Sequence, residues 1–147
     1  MRTLRIKCSK NPFLTVERSK QKLRRMVYIL VANKYYRYPK NKRKSRIIYI
    51  GTTGKGARRP AASAVDKASE AFRLRGVKKI EVHIVTCAGR KAVKTWKKLE
   101  AALIAAFWER YFDIPEYNKI KGGVRSVEDV SLFRPKALQK LLLRFGE

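Results

Sequence analysis

Short apolar runs alternate with longer periodic stretches along this chain, and together they predict a small mixed domain. Residues 26–32 and 47–50 are apolar runs rich in strand formers, and residues 79–87 alternate like a third strand. Residues 60–75 and 90–112 place apolar side chains at helical spacing. The order strand, strand, helix, strand, helix predicts an α/β (α+β) domain in which a small three-stranded sheet is flanked by helices.

Two further segments flank this pattern. Residues 1–25 are basic and weakly patterned, which indicates an arm or one irregular strand. The stretch from 127 to 145 is helical in one or two pieces, and Pro135 opens the second. We therefore expect a basic extension over residues 1–25, a core domain over residues 26–122, and a C-terminal helical tail over residues 123–147 that packs on the same domain.

The connection between the first two predicted strands is long and rich in tyrosine and basic residues. Pro39 and Asn41 mark residues 33–46 as a loop or hairpin tip. Aromatic rings among cations could stack on bases or grip phosphates, and a solvated basic hairpin is about as compatible with the pattern. The candidate nucleic-acid contacts are Tyr35, Tyr36, Arg37, Tyr38, Lys42, Arg43 and Lys44, followed later in the chain by Lys55 and Arg58.

The net charge of the chain indicates what kind of partner it binds. The chain has 37 Lys and Arg against 11 Asp and Glu, a formal net charge of +26. Residues 1–65 carry 19 of these basic residues and one acid, Glu17. Such a charge destabilises a compact domain through self-repulsion, so we expect an anionic partner. The asymmetry favours nucleic acid over a membrane surface.

Several classes of protein are disfavoured by what the sequence lacks. No apolar run approaches the ~20 residues of a transmembrane helix, and no apolar signal-peptide core follows the basic start. Cys8 and Cys87 form no CxxC pattern, so neither a disulfide framework nor a zinc site is indicated. The single histidine, His83, excludes nucleases built on histidine pairs. We expect no membrane partner and a reducing intracellular location, either cytoplasmic or associated with the nucleoid.

One carboxylate on the second predicted helix is chemically conspicuous. Glu100 lies within or beside the apolar stripe of that helix. The stripe consists of Trp96, Leu99, Leu103, Ile104 and Phe107. A buried, unpaired carboxylate is costly, so Glu100 needs a cation, a metal ion or hydrogen-bond donors. A metal ion and an ion pair with a nearby Arg or Lys are both compatible with this position.

Two other features could contribute to the same site. Tyr28 and Tyr49 stand on the first two predicted strands, whose pairing could bring both hydroxyls to one surface. A glycine-rich turn over residues 51–56 follows, and Arg58 and Arg59 come at the start of the next helix. Backbone N–H groups and two guanidinium groups there would suit a phosphate, although the turn lacks the Walker pattern.

Taken together, these residues resemble the GIY-YIG nuclease family. Met26-Val27-Tyr28 stands where the first motif would be, and Tyr49-Ile50-Gly51 matches the second literally. The family's arginine, eight residues after the motif's glycine, corresponds to Arg59. Its metal-binding glutamate, on a helix after the third strand, corresponds to Glu100. Tyr117-Asn118 matches a Tyr-Asn pair that follows this helix.

The resemblance, which covers about residues 26–120, implies a metal-dependent endonuclease that hydrolyses phosphodiester bonds in nucleic acid. DNA is favoured as the substrate, with RNA as the alternative. It implies one divalent cation on Glu100, Mg²⁺ or else Mn²⁺, and an attacking water deprotonated or oriented by a tyrosine hydroxyl. Arg59 would stabilise the transition-state charge. The implied catalytic residues are Tyr28, Tyr49, Arg59, Glu100 and Asn118.

The chain departs from the family pattern at three points. Met26-Val27 replaces Gly-Ile, twenty residues separate Tyr28 from Tyr49, and Ser63 stands where many members have a histidine. The last departure leaves the general base open. An alternative from another class is therefore a non-catalytic basic nucleic-acid-binding protein on the same scaffold, such as a ribonucleoprotein component. The extreme charge and the missing histidine favour this alternative, whereas the retained catalytic residues oppose it.

Overall fold

A computed structural model describes residues 5–118 and 131–147 of this chain. The strands are β1 (Met26–Arg37), β2 (Lys44–Thr53) and β3 (Ile80–Val85). The helices of the described residues are α1 (Arg58–Ala71), α2 (Thr95–Tyr111) and α3 (Pro135–Gly146). The predicted fold class, a three-stranded sheet flanked by helices in this order, is confirmed.

The sheet is antiparallel with strand order β2-β1-β3, so β1 lies at its centre. The first seven residues of β1 are buried without alternation, as expected for a strand covered on both faces. Tyr28 of β1 lies opposite Gly51 of β2 and Ile84 of β3. Directly opposed residues share a face of a sheet, so these three residues lie on the same face.

Helices cover the sheet and complete the core. α1 packs against β3 and β2, α2 against β2 and β1, and α3 against α2 and β2. α3 buries Leu138 and Leu142, and Pro135 begins it as expected. The expected domain boundary near residues 122–123 and the first residues of the predicted tail helix lie outside the described residues.

Residues 33–46, predicted to form a loop or hairpin tip, form the end of a β-hairpin, and most of the segment is strand. β1 continues to Arg37 and β2 begins at Lys44, so that only residues 38–43 form the turn. Apolar periodicity ends before this extension, which is why the sequence pattern missed it.

Two tyrosines of the extended hairpin explain why its strands are so long. The ring of Tyr38 is 3% exposed and lies 5.3 Å from the ring of Phe107 and 5.2 Å from that of Tyr111. The Tyr38 hydroxyl accepts a hydrogen bond of 3.2 Å from the Glu116 backbone N–H. Tyr36 is also buried in the core. The hairpin therefore belongs to the hydrophobic core, and shortening it would remove core side chains.

The helices are shorter than predicted. α1 ends at Ala71 instead of continuing to Arg75, and Gly76, with φ of 90°, follows after a further turn. α2 begins at Thr95 because Arg90 and Val93 pair in an isolated β-bridge before it.

The N-terminal residues form an arm and not an irregular strand. Residues 5–25 contain neither helix nor strand, and every one of them is exposed. Their composition explains this, since they hold too few apolar residues in any regular period to pack on the domain.

Because Tyr38 is buried, the stability of the fold should decrease as the pH rises in the alkaline range. Desolvation raises the pKa of its hydroxyl above the usual value of about 10. Because the folded pKa lies above the unfolded one, this stabilisation is complete below about pH 10 and is lost as the pH rises further. We expect Tyr38→Phe to lower the unfolding free energy near neutrality and to reduce its steepness above about pH 10.

Urea unfolding followed by circular dichroism at several pH values measures this effect. Tyr35→Phe is the matched control, because the Tyr35 side chain is 42% exposed, and it should leave the alkaline steepness unchanged. Equal steepness in the Tyr38→Phe and parent proteins would contradict the assignment.

Candidate active site

Two tyrosine rings lie side by side where β1 and β2 pair. The ring centroids of Tyr28 and Tyr49 are 6.0 Å apart. A Cβ atom on Gly51 would lie 2.6 Å from the Cζ and hydroxyl oxygen of Tyr28 and 2.6 Å from Cε1 of Tyr49. These distances are far below van der Waals contact, so only glycine lets both rings lie against this strand.

Helix α1 directs a row of polar side chains towards the tyrosine pair. Arg59, Ser63 and Lys67 follow one another at intervals of four residues, which places them along one side of the helix. The Ser63 hydroxyl shares a hydrogen bond of 2.9 Å with the Tyr28 hydroxyl. The Lys67 ammonium lies 5.6 Å from the centre of the Tyr49 ring. The site thus has one hydroxyl in contact with Tyr28 and one cation above Tyr49.

The Tyr49 hydroxyl is sensitive to its charged neighbours. Its pKa is raised to about 12, chiefly by burial and also by the nearby Tyr28 and Glu100, whereas Arg59 opposes the shift. Glu100 and Arg59 are therefore both within electrostatic reach of Tyr49. A tyrosine that acts as a base near neutrality would need a lowered pKa, whereas the pKa of Tyr49 is raised. Tyr49 stays neutral and is suited to donating a hydrogen bond.

Glu100 lies at the edge of the core on α2. Leu99 and Leu103 beside it are buried, whereas Glu100 itself is half-buried together with Trp96 and Ile104. The carboxylate is thus beside the apolar stripe and close enough to Tyr49 to affect its pKa.

The carboxylate of Glu100 can be compared with the set of oxygen ligands that a divalent cation needs. No group of three or more His, Cys, Asp or Glu side chains suitable for a metal occurs within residues 5–118 and 131–147. A cage built by protein alone is therefore absent from this part of the chain. Mg²⁺ commonly uses one or two carboxylates and completes its shell with water and substrate phosphates. The single carboxylate of Glu100 fits this second arrangement.

Asn118 fixes the backbone of β2 next to Tyr49. Its side-chain amide donates to the Ile50 carbonyl at 2.8 Å, and its oxygen accepts from the Ile50 N–H at 3.0 Å. The Tyr117 N–H donates to the Ile48 carbonyl at 2.9 Å. Since β2 is an edge strand, these bonds satisfy groups that the sheet leaves unpaired. Asn118 is a positioning residue and makes no contact suited to chemistry.

The predicted nucleic-acid contacts separate into three groups. Tyr36 and Tyr38 lie in the core, so stacking of their rings on bases would require unfolding. Lys55 and Arg58 lie beyond the far end of β2, near the tyrosine pair. The remaining residues line an open groove of about 640 Å³ at the hairpin tip: Tyr35, Arg37, Lys42, Arg43 and Lys44. Five residue steps along β2, from Lys44 to Tyr49, separate the groove from the tyrosine pair by roughly 17 Å.

Lys67 is a site residue that the sequence reasoning missed. Its side chain is 8% exposed, and its ammonium forms an ion pair of 2.9 Å with Asp66. Lysine is rarely buried to this extent. Its spacing could have indicated its burial. Lys67 lies four residues after Ser63 and four before the buried Ala71, on the inner side of α1.

His83 lies away from this site, as expected for an ordinary strand histidine. Its neighbour Ile84 is the residue opposite Tyr28, so His83 points to the other face of the sheet. There its ring lies 4.7 Å from the ring of Phe145. His83 cannot replace the histidine that the family places near the tyrosines.

Comparison with protein-family models, with curated proteins and with solved structures finds no match to this chain. The resemblance to the GIY-YIG family therefore depends on the sequence motifs alone. Within the described ranges, no helix has the length and apolar character needed to cross a membrane.

The close approach at Gly51 gives a direct test of the site geometry. Gly51→Ala must displace Tyr28 or Tyr49, so we expect stability to fall by about 1–3 kcal/mol. Gly54→Ala is the matched control, because its Cβ would meet only Trp96, at an ordinary 3.6 Å. Thermal and urea unfolding of both variants measure the difference. Equal stability of the two variants would show that the tyrosines are not packed in this way.

Proposed function

We propose that this chain is a metal-dependent nuclease that hydrolyses phosphodiester bonds in nucleic acid at a site of the GIY-YIG kind. One observation carries the proposal. Tyr28, Tyr49, Arg59 and Glu100 come from four separate elements, β1, β2, α1 and α2; Tyr28 packs beside Tyr49, and Arg59 and Glu100 lie close enough to affect its pKa. They are four of the five residues that the resemblance implies for catalysis; the fifth, Asn118, holds the backbone of β2. DNA is the favoured substrate, and RNA is the alternative.

The charges around the tyrosine pair suit phosphoryl chemistry. In the proposed reaction a water oxygen bonds to phosphorus while the bond from phosphorus to the leaving oxygen breaks. Negative charge builds up on the phosphoryl oxygens, and a positioned guanidinium stabilises it. Arg59 is exposed at the start of α1, where it can reach a bound phosphate. Lys67 adds a second positive charge over the Tyr49 ring.

The Tyr49 hydroxyl would orient the attacking water, since that of Tyr28 is buried against Ser63. Tyr49, with its pKa raised to about 12, keeps its proton near neutrality and donates a hydrogen bond. Tyr28 shares its hydrogen bond with Ser63, which stands in the family's histidine position. No general base is assigned among these groups, and the proton of the attacking water passes to solvent.

Glu100 would hold the divalent cation, Mg²⁺ or Mn²⁺. A bound cation supplies a Lewis acid that polarises the phosphoryl oxygen. With one protein carboxylate, the binding of the cation should depend strongly on the substrate phosphate.

A second function is favoured by a specific observation at Tyr28. Its hydroxyl is engaged with Ser63 and is fully buried with the rest of the side chain. This arrangement also fits a scaffold that binds nucleic acid without cutting it. The two functions differ in one outcome, which is cleavage that depends on a divalent cation.

Glu100→Gln distinguishes a metal-holding carboxylate from a structural one. The change keeps the shape of the side chain and removes the charge that a hard cation needs. We expect cleavage to be abolished while nucleic-acid affinity is kept or raised, since a repulsive charge is lost. Glu109→Gln, at an exposed position on the same helix, is the control and should cut like the parent. A Glu100→Gln protein that folds, binds and still cuts with Mg²⁺ would overturn this assignment.

Arg59→Ala tests the positive charge on the transition state. Loss of one such group should lower the cleavage rate about 10²- to 10³-fold. Binding should fall only modestly, because Arg59 is one of many basic residues. Arg58→Ala removes the adjacent exposed guanidinium and should leave the rate within a few-fold of the parent. Equal rates for the two variants in single-turnover assays would speak against the role of Arg59.

A further inference from the structure

The N-terminal arm, residues 5–25, lies outside the sheet and the helices of the domain. Its residues are exposed throughout. They carry eight Lys and Arg and one acid, Glu17. A segment of this kind cannot bury enough apolar surface to fold by itself, so its charge is available to a partner.

The arm joins the domain directly beside the candidate active site. The Arg24 carbonyl accepts a hydrogen bond of 3.0 Å from the Gly56 N–H. The Arg25 guanidinium lies 4.8 Å from the centre of the Trp96 ring, which packs beside Gly54. The first contact is made to the glycine turn that leads into Arg58 and Arg59, and the second to an α2 side chain that packs against this turn. The arm is thus fixed at its C-terminal end within one turn of the proposed catalytic arginine.

The apolar residues of the arm also point to a partner. The side chains of Ile6, Phe13 and Val16 are 93%, 102% and 71% exposed. An exposed aromatic ring among cations can stack on an unpaired base, while the cations contact phosphates. The charge of the segment favours a polyanion over an apolar protein surface as the molecule that covers these side chains.

We propose that residues 5–25 form a nucleic-acid-binding clamp that holds the phosphate backbone next to the catalytic site. The inference rests on the proposed function for the class of ligand, but it does not require that the protein cuts it. The arm spans up to roughly 70 Å when extended, at about 3.3–3.6 Å per residue. It can therefore follow the backbone well beyond the phosphate at the tyrosine pair. The groove at the hairpin tip is a separate surface, roughly 17 Å away along β2.

The clamp is tested by removing charge from the arm in the full-length chain. In the arm variant four residues become glutamine: Lys7, Lys10, Arg18 and Lys20. The matched control changes four exposed residues of the domain to glutamine: Arg73, Lys78, Lys136 and Lys140. Both variants lose the same charge and keep the anchor at Arg24 and Arg25. Affinity for a DNA duplex with a single-stranded tail is measured in EDTA, from about 50 to 200 mM salt.

On duplex DNA, each phosphate contact that is lost reduces the magnitude of the slope of log K against log salt by about 0.9. We expect the arm variant to lose about three to four units of slope and at least about tenfold in affinity, and the control to lose less than about one unit. Equal losses in the two variants would overturn the clamp, as would an arm variant that binds like the parent. A parent that does not bind DNA or folded RNA in EDTA also overturns it.

Direct contact can be read out at Cys8, which is exposed on the arm. A photoreactive label on Cys8, in a Cys87→Ser background, should crosslink to bound nucleic acid. Crosslinking to nucleic acid supports the clamp, and its absence at saturating nucleic acid overturns it. Cleavage in Mg²⁺ is measured separately. A clamp that binds in a protein that never cuts would therefore leave this proposal standing while the nuclease proposal fails.

Discussion

The contact of two tyrosine rings with the backbone of Gly51 is the constraint on which the rest of the site depends. A Cβ at Gly51 would overlap both rings, so the register of β1 on β2 and the choice of glycine are linked. This register places Tyr28 where Ser63 reaches it and Tyr49 where Lys67 covers it. The bonds of Asn118 to Ile50 then hold the edge strand in place.

Much of the fold could be predicted from the sequence, because most of its elements carry a clear apolar pattern. The three strands and the helices were found, and Glu100 was placed beside the apolar stripe where it lies. The length of the hairpin strands was missed because Tyr36 and Tyr38 alternate with basic residues, so charge concealed two core positions. Lys67 was missed for the same reason, since a lysine on a helix is ordinarily taken as exposed. The start of α2 depends on a bridge between Arg90 and Val93 that no local pattern encodes.

The distribution of charge explains how so basic a chain can fold. The described core contains few charged groups, and its largest buried side chains are apolar or aromatic, such as Tyr28, Phe107 and Tyr111. Exposed cations are spread along the chain, and they are dense in the arm, at the hairpin tip and around the start of α1. Repulsion among exposed charges is screened by salt and water, whereas repulsion inside the core would not be. The fold therefore keeps its positive charge outside an apolar centre, and the start of α1 and the anchored end of the arm adjoin the tyrosine pair.

The most direct test of the nuclease proposal is an activity measurement on the parent protein. Highly purified protein is incubated with supercoiled DNA and with structured RNA, in the presence of Mg²⁺, Mn²⁺ or EDTA. The account requires cutting of at least one substrate with a divalent ion and none in EDTA. If the parent protein binds nucleic acid but cuts no substrate with either ion, the nuclease proposal is wrong, and the scaffold serves binding alone.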